Sequence, residues 1–348
     1  MSSFPPQFPN PYPSISPQQM NQLLALNATV SLRDPSSSQF FQALGGVYLA
    51  FFILAVILTL ITSGICMKMI LEVFMKIKNE YIQVDLYWLL STPMTVSWIC
   101  FLSICFPRSS SILYSIGLAI VVIALSTTCA LFNRLYGGRH RLSEYLQEKD
   151  RRLEFATRPL CCCCKCLPSC APSVRNIRLI TLLVDQTPFV RLTLAVALIV
   201  ISLEGSPDTD PVVTTLDIIG VVSTLVAVYA AQIIIELGED DLDSSGFGLL
   251  FKCTNIAQML YTLMRFILEM LGRNDVFPRL PPLNSDTISG YWFFVAMIGS
   301  YFLIALALAK NIRPGRSSFF EDASKPVKRE QRSKIKLAVS DHCRTSSA

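Results

Sequence analysis

Long apolar runs alternate with short polar segments along almost the whole chain, and one run is far more polar than the rest. The runs read Gly45–Met67, Leu86–Phe106, Ser111–Phe132, Leu179–Leu203, Val212–Ile235, Gly246–Leu271 and Ile288–Ala309. A bilayer core of about 30 Å takes about 20 helical residues at about 1.5 Å each, so each run predicts a transmembrane helix. The fold class expected is an all-α membrane protein with seven transmembrane helices. Residues 45–310 form its membrane domain. Residues 1–44, rich in Pro, Ser, Gln and Asn, are expected to be a disordered extracellular tail, because they offer too little apolar surface to order themselves. Residues 311–348 make a basic cytosolic tail, and 133–178 make a long loop between the third and fourth spans.

Composition agrees with this reading and adds little. Hydrophobic residues make up 52% of the chain and charged residues 16%, against about a quarter in soluble domains. The placement of charge says more. With the N-terminus outside, the inner side receives 23 Lys and Arg residues and the outer side only Arg33, Arg108, Arg273 and Arg279. That asymmetry predicts an outside N-terminus and a cytosolic C-terminus. It also puts the Asn27-Ala28-Thr29 sequon outside, making Asn27 a candidate N-glycosylation site. No cysteine then falls in an outer loop, so no disulfide framework is expected.

The sixth run carries the most polar chemistry. At 100° per residue, Asn255, Gln258, Thr262, Arg265 and Glu269 fall within a stripe about 80° wide, with Lys252 beyond its edge. Arg265 and Glu269, at i and i+4, are spaced to pair. Polar groups in hydrocarbon are costly, so the stripe faces either protein, as a packing seam, or a substrate or ion pathway. The fourth run adds Asp185, Gln186, Pro188 and Arg191. Asp185 and Arg191 lie on different faces, and Pro188 frees a backbone carbonyl nearby. Arg191, Lys252 and Arg265 are the cations within the spans. Asp217, Gln232 and Glu236 in the fifth run sit near its ends and read as interfacial.

Within the long loop, Arg139–Ala156 has Leu142, Tyr145, Leu146 and Leu153 at helical spacing between charges. It reads as an amphipathic helix, either lying on the membrane or packed on the bundle. Cys161, Cys162, Cys163, Cys164, Cys166 and Cys170 follow. Contiguous cysteines are poor zinc ligands, because their side chains diverge where zinc sites need spacing. Membrane-proximal cytosolic thiols suit S-acylation, and unmodified thiols remain the plain alternative. The C-terminal tail has six Lys and Arg between Lys325 and Lys336, which would attract acidic inner-leaflet lipids.

Enzyme chemistry finds no support. The two histidines, His140 and His342, lie outside the runs, and no nucleophile elbow, HExxH or phosphate-cradling glycine loop occurs. No metal, no cofactor and no nucleic-acid partner is expected.

Arg158-Pro159-Leu160 followed by CCCCKCLP, after the third of seven spans, resembles the organic solute transporter alpha subunit family. Further similarity lies in Gln186, Phe189 and Arg191, in Ser223-Thr224-Leu225 and in Glu236-Leu237-Gly238-Glu239. Lys165 interrupts the cysteine run where the family pattern is uncharged. The resemblance implies a facilitative transporter of amphipathic organic anions, such as bile acids and conjugated steroids, working with a single-span beta subunit. It also implies the plasma membrane as the destination, with endomembranes on the way. Two other classes fit seven spans: a receptor, and a membrane-organising or trafficking protein that moves no solute. The missing outer-loop cysteines weigh against the receptor.

Overall fold

The computed structural model describes residues 36–43, 45–77, 79–149, 151, 153, 170–204, 210–236, 246–277, 283–313 and 319–320. Asn27, Cys161–Cys164, Cys166 and the basic C-terminal run lie outside them. The described regular structure is helical, apart from an isolated bridge between Leu153 and Cys170. The helices are α1 (Ser37–Ala43), α2 (Gly46–Lys76), α3 (Glu80–Cys105), α4 (Ser110–Leu135), α5 (Arg139–Glu148), α6 (Val174–Glu204), α7 (Asp210–Glu236), α8 (Phe247–Arg273) and α9 (Ser285–Asn311).

Six of them, α2, α3, α4, α6, α7 and α9, are long and apolar enough to cross a membrane. The seventh expected span, α8, has the length but not the apolarity, because Lys252, Arg265, Glu269 and Arg273 lie along it. Outward faces of α2 and α6 are lined by exposed Leu, Ile, Val and Phe, as a lipid-facing surface requires. Helix hydroxyls mostly bond back to the carbonyl four residues earlier, as Thr59 does to Ala55 at 2.8 Å and Ser97 to Pro93 at 2.7 Å. This satisfies them without any interhelical partner.

The helices run beyond the apolar runs that predict them. α2 continues from Met67 to Lys76 because Cys66, Met69 and Val73 keep an apolar stripe on the bundle while Lys68 and Lys76 face outward. α3 and α6 pass through Pro93 and Pro188 without ending.

α4 is the central element and packs against α3, α6 and α8; α9 covers α8, α3 and α2. α6 pairs with α7, and α7 touches α8 over a short stretch. The interior divides into two apolar clusters. One surrounds Phe132, Leu86, Leu142 and Phe247. The other surrounds Tyr261, Tyr301, Phe293 and Val121. The first lies at the Arg134 end of the bundle and the second at the Tyr114 end.

α5 ends at Glu148 rather than near Ala156. Leu142 and Leu146 are fully buried in the first cluster, so its apolar face meets protein and not lipid. Leu153, placed on the same helix by its spacing, is instead buried through the bridge to Cys170.

Candidate functional site

Three arginines and two carboxylates converge at the Tyr114 end, on α6, α7 and α8 around one side of α4. On α8, Arg265 Nε donates to Glu269 Oε2 at 3.1 Å, and Arg273 Nη2 donates to Glu269 Oε1 at 2.9 Å. Residues 265, 269 and 273 are successive i+4 positions, so one helical face carries all three. Arg273 reaches across to α7, where Thr214 accepts from it and the Asp217 carboxylate lies 3.9 Å away.

Aromatic rings form the inner wall. The Arg265 guanidinium sits 5.0 Å from the Tyr114 ring centre and 5.7 Å from that of Phe293. A cation over π faces in a dry setting gains more than it would in water. Tyr114 and Tyr261 stack at 5.3 Å with planes 4° apart, and the Tyr261 hydroxyl donates to the Tyr114 carbonyl at 3.2 Å. That fit depends on Gly117 of α4. A Cβ there would stand 3.0 Å from Tyr261 Cζ and closer still to its hydroxyl.

Arg191 is bound differently. It is only 7% exposed, and its Nε donates to Thr224 Oγ1 of α7 at 2.9 Å, with Nη2 on the same oxygen. Thr224 in turn donates to the Gly220 carbonyl at 3.0 Å. Gly220 lets the guanidinium lie against the α7 backbone, since a Cβ would meet Arg191 Cζ at 3.0 Å. Among the described residues no carboxylate lies within ion-pairing distance of Arg191. Asp217 is the acid within its electrostatic reach, and it is shared with Arg273 and Arg265. Tyr114 lies within electrostatic reach of both Arg191 and Arg265.

The rest of the α8 stripe continues toward the Arg134 end. Asn255, Gln258 and Thr262 are buried, Gln258 completely. Asn255 Oδ1, both polar atoms of Gln258 and Thr262 Oγ1 have no hydrogen-bond partner. Buried polar atoms are normally paired, and an orphan costs about 1–3 kcal/mol. Four such atoms lie along one buried face of α8.

The sequence-level candidates therefore separate. Arg265 and Glu269 pair as their spacing predicts, and Asn255, Gln258 and Thr262 share their buried face. Asp185 goes to α4 instead, accepting from Ser126 Oγ at 2.7 Å, away from Arg191. Gln186 and Lys252 point outward and are exposed. Sequence reasoning missed Tyr114 and Gly220, and named Thr224 only as part of a family resemblance, without a partner. It read Asp217 as interfacial and Arg273 as a loop residue. Arg273 was within reach, because it continues the i+4 series of the stripe. Among the described residues no group of His, Cys, Asp and Glu is placed to hold a metal. Cys66, Cys100, Cys105, Cys129, Cys170 and Cys253 are free thiols.

A polytopic helical bundle with a partly dry ionic cluster and an orphaned polar stripe is the class of protein that fold and site define. Residues 51–310 match the organic solute transporter Ostalpha family, and the chain belongs to it. That family is one of solute transporters and not of enzymes. The chain is similar to organic solute transporter alpha-like protein 1 of Caenorhabditis elegans, 26% identical over 246 residues, which are 70% of this chain and 64% of that protein. Alpha-like protein 3 of the same organism is 25% identical over 76% of this chain and 77% of its own length. For alpha-like protein 2 the figures are 24%, 85% and 87%. No solved structure matches the chain.

Proposed function

We propose that this chain is the multi-span subunit of a facilitative transporter for amphipathic organic anions, bile acids or conjugated steroids among them. The observation that carries the reading is Arg191, a buried guanidinium held by a threonine hydroxyl and by no carboxylate within pairing distance among the described residues. A buried cation without a directly paired counter-ion in a membrane domain costs several kcal/mol. The sulfate or carboxylate of a solute supplies the missing counter-ion. Arg265 and Arg273, already paired with Glu269, hold the local field without trapping the anion. Hydroxyls of the solute exchange hydrogen bonds with Asn255, Gln258 and Thr262, and its ring system lies against apolar helix faces. Asp185, Gln186 and Lys252 belong to the approach to this path rather than to its buried part.

In this reading α8 is the seventh span, tolerated in the membrane because its polar stripe faces α4 and α9. The N-terminus is outside, Asn27 is glycosylated, and the Tyr114 end faces outward. Cys161–Cys164, Cys166 and Cys170 carry acyl chains on the cytosolic side. The complex with a single-span beta subunit works at the plasma membrane, and transport follows the substrate gradient.

The test is uptake of a labelled steroid sulfate in cells expressing the chain with and without a candidate single-span partner. Saturable uptake that requires the pair is expected. Absence of uptake from cells that display both subunits on the surface would overturn the reading.

A further inference from the structure

A cavity of about 470 Å³ lies at the Arg134 end, lined among others by Tyr81, Asn133, Arg134, Gly137, Gly138 and Arg139. It opens where α3 begins, α4 ends and α5 starts. None of these residues takes part in the cluster at the Tyr114 end.

Three features of its wall favour an anion. Gly137 and Gly138 both have positive φ, 79° and 104°, a backbone that L side chains resist. Gly138 is the N-cap of α5 and offers no side chain, so the first amides of this ten-residue helix are left uncapped beside the cavity. Arg139 adds a charge with no ion-pair partner among the described residues. Arg134 uses Nη1 on Asp85 at 2.7 Å and on the Tyr81 carbonyl at 3.1 Å. A guanidinium has five N–H donors, so this pairing does not exhaust it.

Asn133 supplies the independent observation. It lines the cavity, is 7% exposed, and its Nδ2 donates to the Cys129 carbonyl at 3.1 Å. That donation fixes the amide's orientation and leaves Oδ1, a buried acceptor, with no partner. A phosphate dianion has no proton to give it. A hydroxyl or ammonium attached to the phosphate does.

Tyr81 is 74% exposed, and Val84 and Trp88, 51% and 49% exposed, follow it at i+3 and i+7. An apolar track therefore leads from the cavity along α3, in the direction acyl chains would take.

We propose that this cavity binds the headgroup of a phospholipid. Its phosphate lies on Arg139, Arg134 and the α5 amides. Its hydroxyl or ammonium donates to Asn133 Oδ1, and its chains follow Tyr81, Val84 and Trp88. The inference is independent of which solute the Tyr114 end takes.

The test uses the full chain purified in detergent. Its thermal midpoint and its lipid retention by native mass spectrometry are followed with dioctanoyl phosphatidylglycerol, dioctanoyl phosphatidylcholine and inorganic phosphate. Phosphatidylglycerol should raise the midpoint and stay bound; phosphatidylcholine, which has no donor, should do so far less. Arg139→Gln, at an exposed position, should weaken phosphatidylglycerol binding roughly tenfold, the effect of one charge-assisted hydrogen bond. Arg139→Lys should restore part of it, and Asn133→Leu should abolish the preference over phosphatidylcholine. Equal responses to the two lipids, or unchanged binding in Arg139→Gln, would overturn the proposal. An inorganic phosphate effect equal to that of phosphatidylglycerol would overturn the lipid assignment in favour of a soluble phosphate.

Discussion

Each end of the bundle sets an arginine beside a tyrosine, yet the two ends solve the problem of its charge in opposite ways. At the Arg134 end the guanidinium is answered within the fold. Asp85 takes it at 2.7 Å and the Tyr81 ring lies 5.8 Å below. Arg134 is also about half exposed, so water shares the work of solvating it. At the Tyr114 end Arg265 and Arg273 share one glutamate, while among the described residues Arg191 hydrogen-bonds to a hydroxyl and has no carboxylate within pairing distance. A bundle that needed only stability would pair Arg191 with a carboxylate as it pairs Arg134, because leaving a buried cation open costs more than pairing it. The difference singles out Arg191 as a buried cation whose pairing stability alone does not explain.

The strongest way to break the comparison is to remove the open cation. Arg191→Gln should lower anion uptake by roughly tenfold or more, since a charge-assisted contact contributes about 1.5–3 kcal/mol. Surface expression should be unchanged, because no carboxylate is left unpaired. Arg191→Lys should recover part of the activity without the bidentate geometry. Uptake equal to the parent protein would reduce Arg191 to a packing residue.

Next in size is the glycine that positions this cation. In Gly220→Ala the new Cβ would stand 3.0 Å from Arg191 Cζ, so the guanidinium must leave its place on α7. Overpacking of this kind costs about 1–3 kcal/mol. Uptake should fall about fivefold, with the same substrates affected as in Arg191→Gln. A stability loss with normal transport kinetics would separate the glycine's packing role from any role in holding the arginine.

How far the sequence shows this contrast depends on which physical signal is asked for. Among the described residues, apolar runs located six long helices, because hydrocarbon thickness and helical rise leave little freedom; α8 was located by its length and period despite its charges. The buried face of α8 was also visible, since a 3.6-residue period puts Asn255, Gln258, Thr262, Arg265 and Glu269 on one side without reference to any neighbour. Partners on other helices were not visible. That Arg191 meets Thr224 and Asp185 meets Ser126 depends on how α6 is rotated against α7 and α4, which periodicity does not encode. Tyr114 carries no signal at all in an apolar run, where an aromatic residue reads as core or belt. Length misled at α5, because Leu153 continues the helical spacing and yet packs through an isolated bridge after the helix has ended.

The Asp85–Arg134 pair offers the reverse test. Asp85→Asn removes the charge that answers Arg134 while keeping a hydrogen-bonding oxygen. Thermal unfolding of the purified chain should show a loss of about 1 kcal/mol. The larger penalty of breaking a buried pair does not apply, because Arg134 is half in solvent. Transport per correctly folded molecule should be unchanged. A fall in transport equal to that of Arg191→Gln would erase the distinction between the two ends.

The smallest effect is the most discriminating, because its two readouts move in opposite directions. Gln258 is fully buried with neither its oxygen nor its nitrogen bonded. Replacing an orphaned polar group by an apolar one of similar shape removes a desolvation cost and breaks no internal bond, so Gln258→Leu should raise stability by about 0.5–1 kcal/mol. If the stripe of α8 were only a packing seam, nothing else would change. If solute hydroxyls bond to it, the same substitution leaves those hydroxyls unmet in a dry site, and uptake of a hydroxylated anion should fall while that of an analogue lacking the hydroxyl is spared. A higher thermal midpoint with equal loss for both substrates would point to a blocked path rather than a lost hydrogen bond. A higher midpoint with no loss for either would return the stripe to the interior of an ordinary helix bundle and leave Arg191 alone to mark the site.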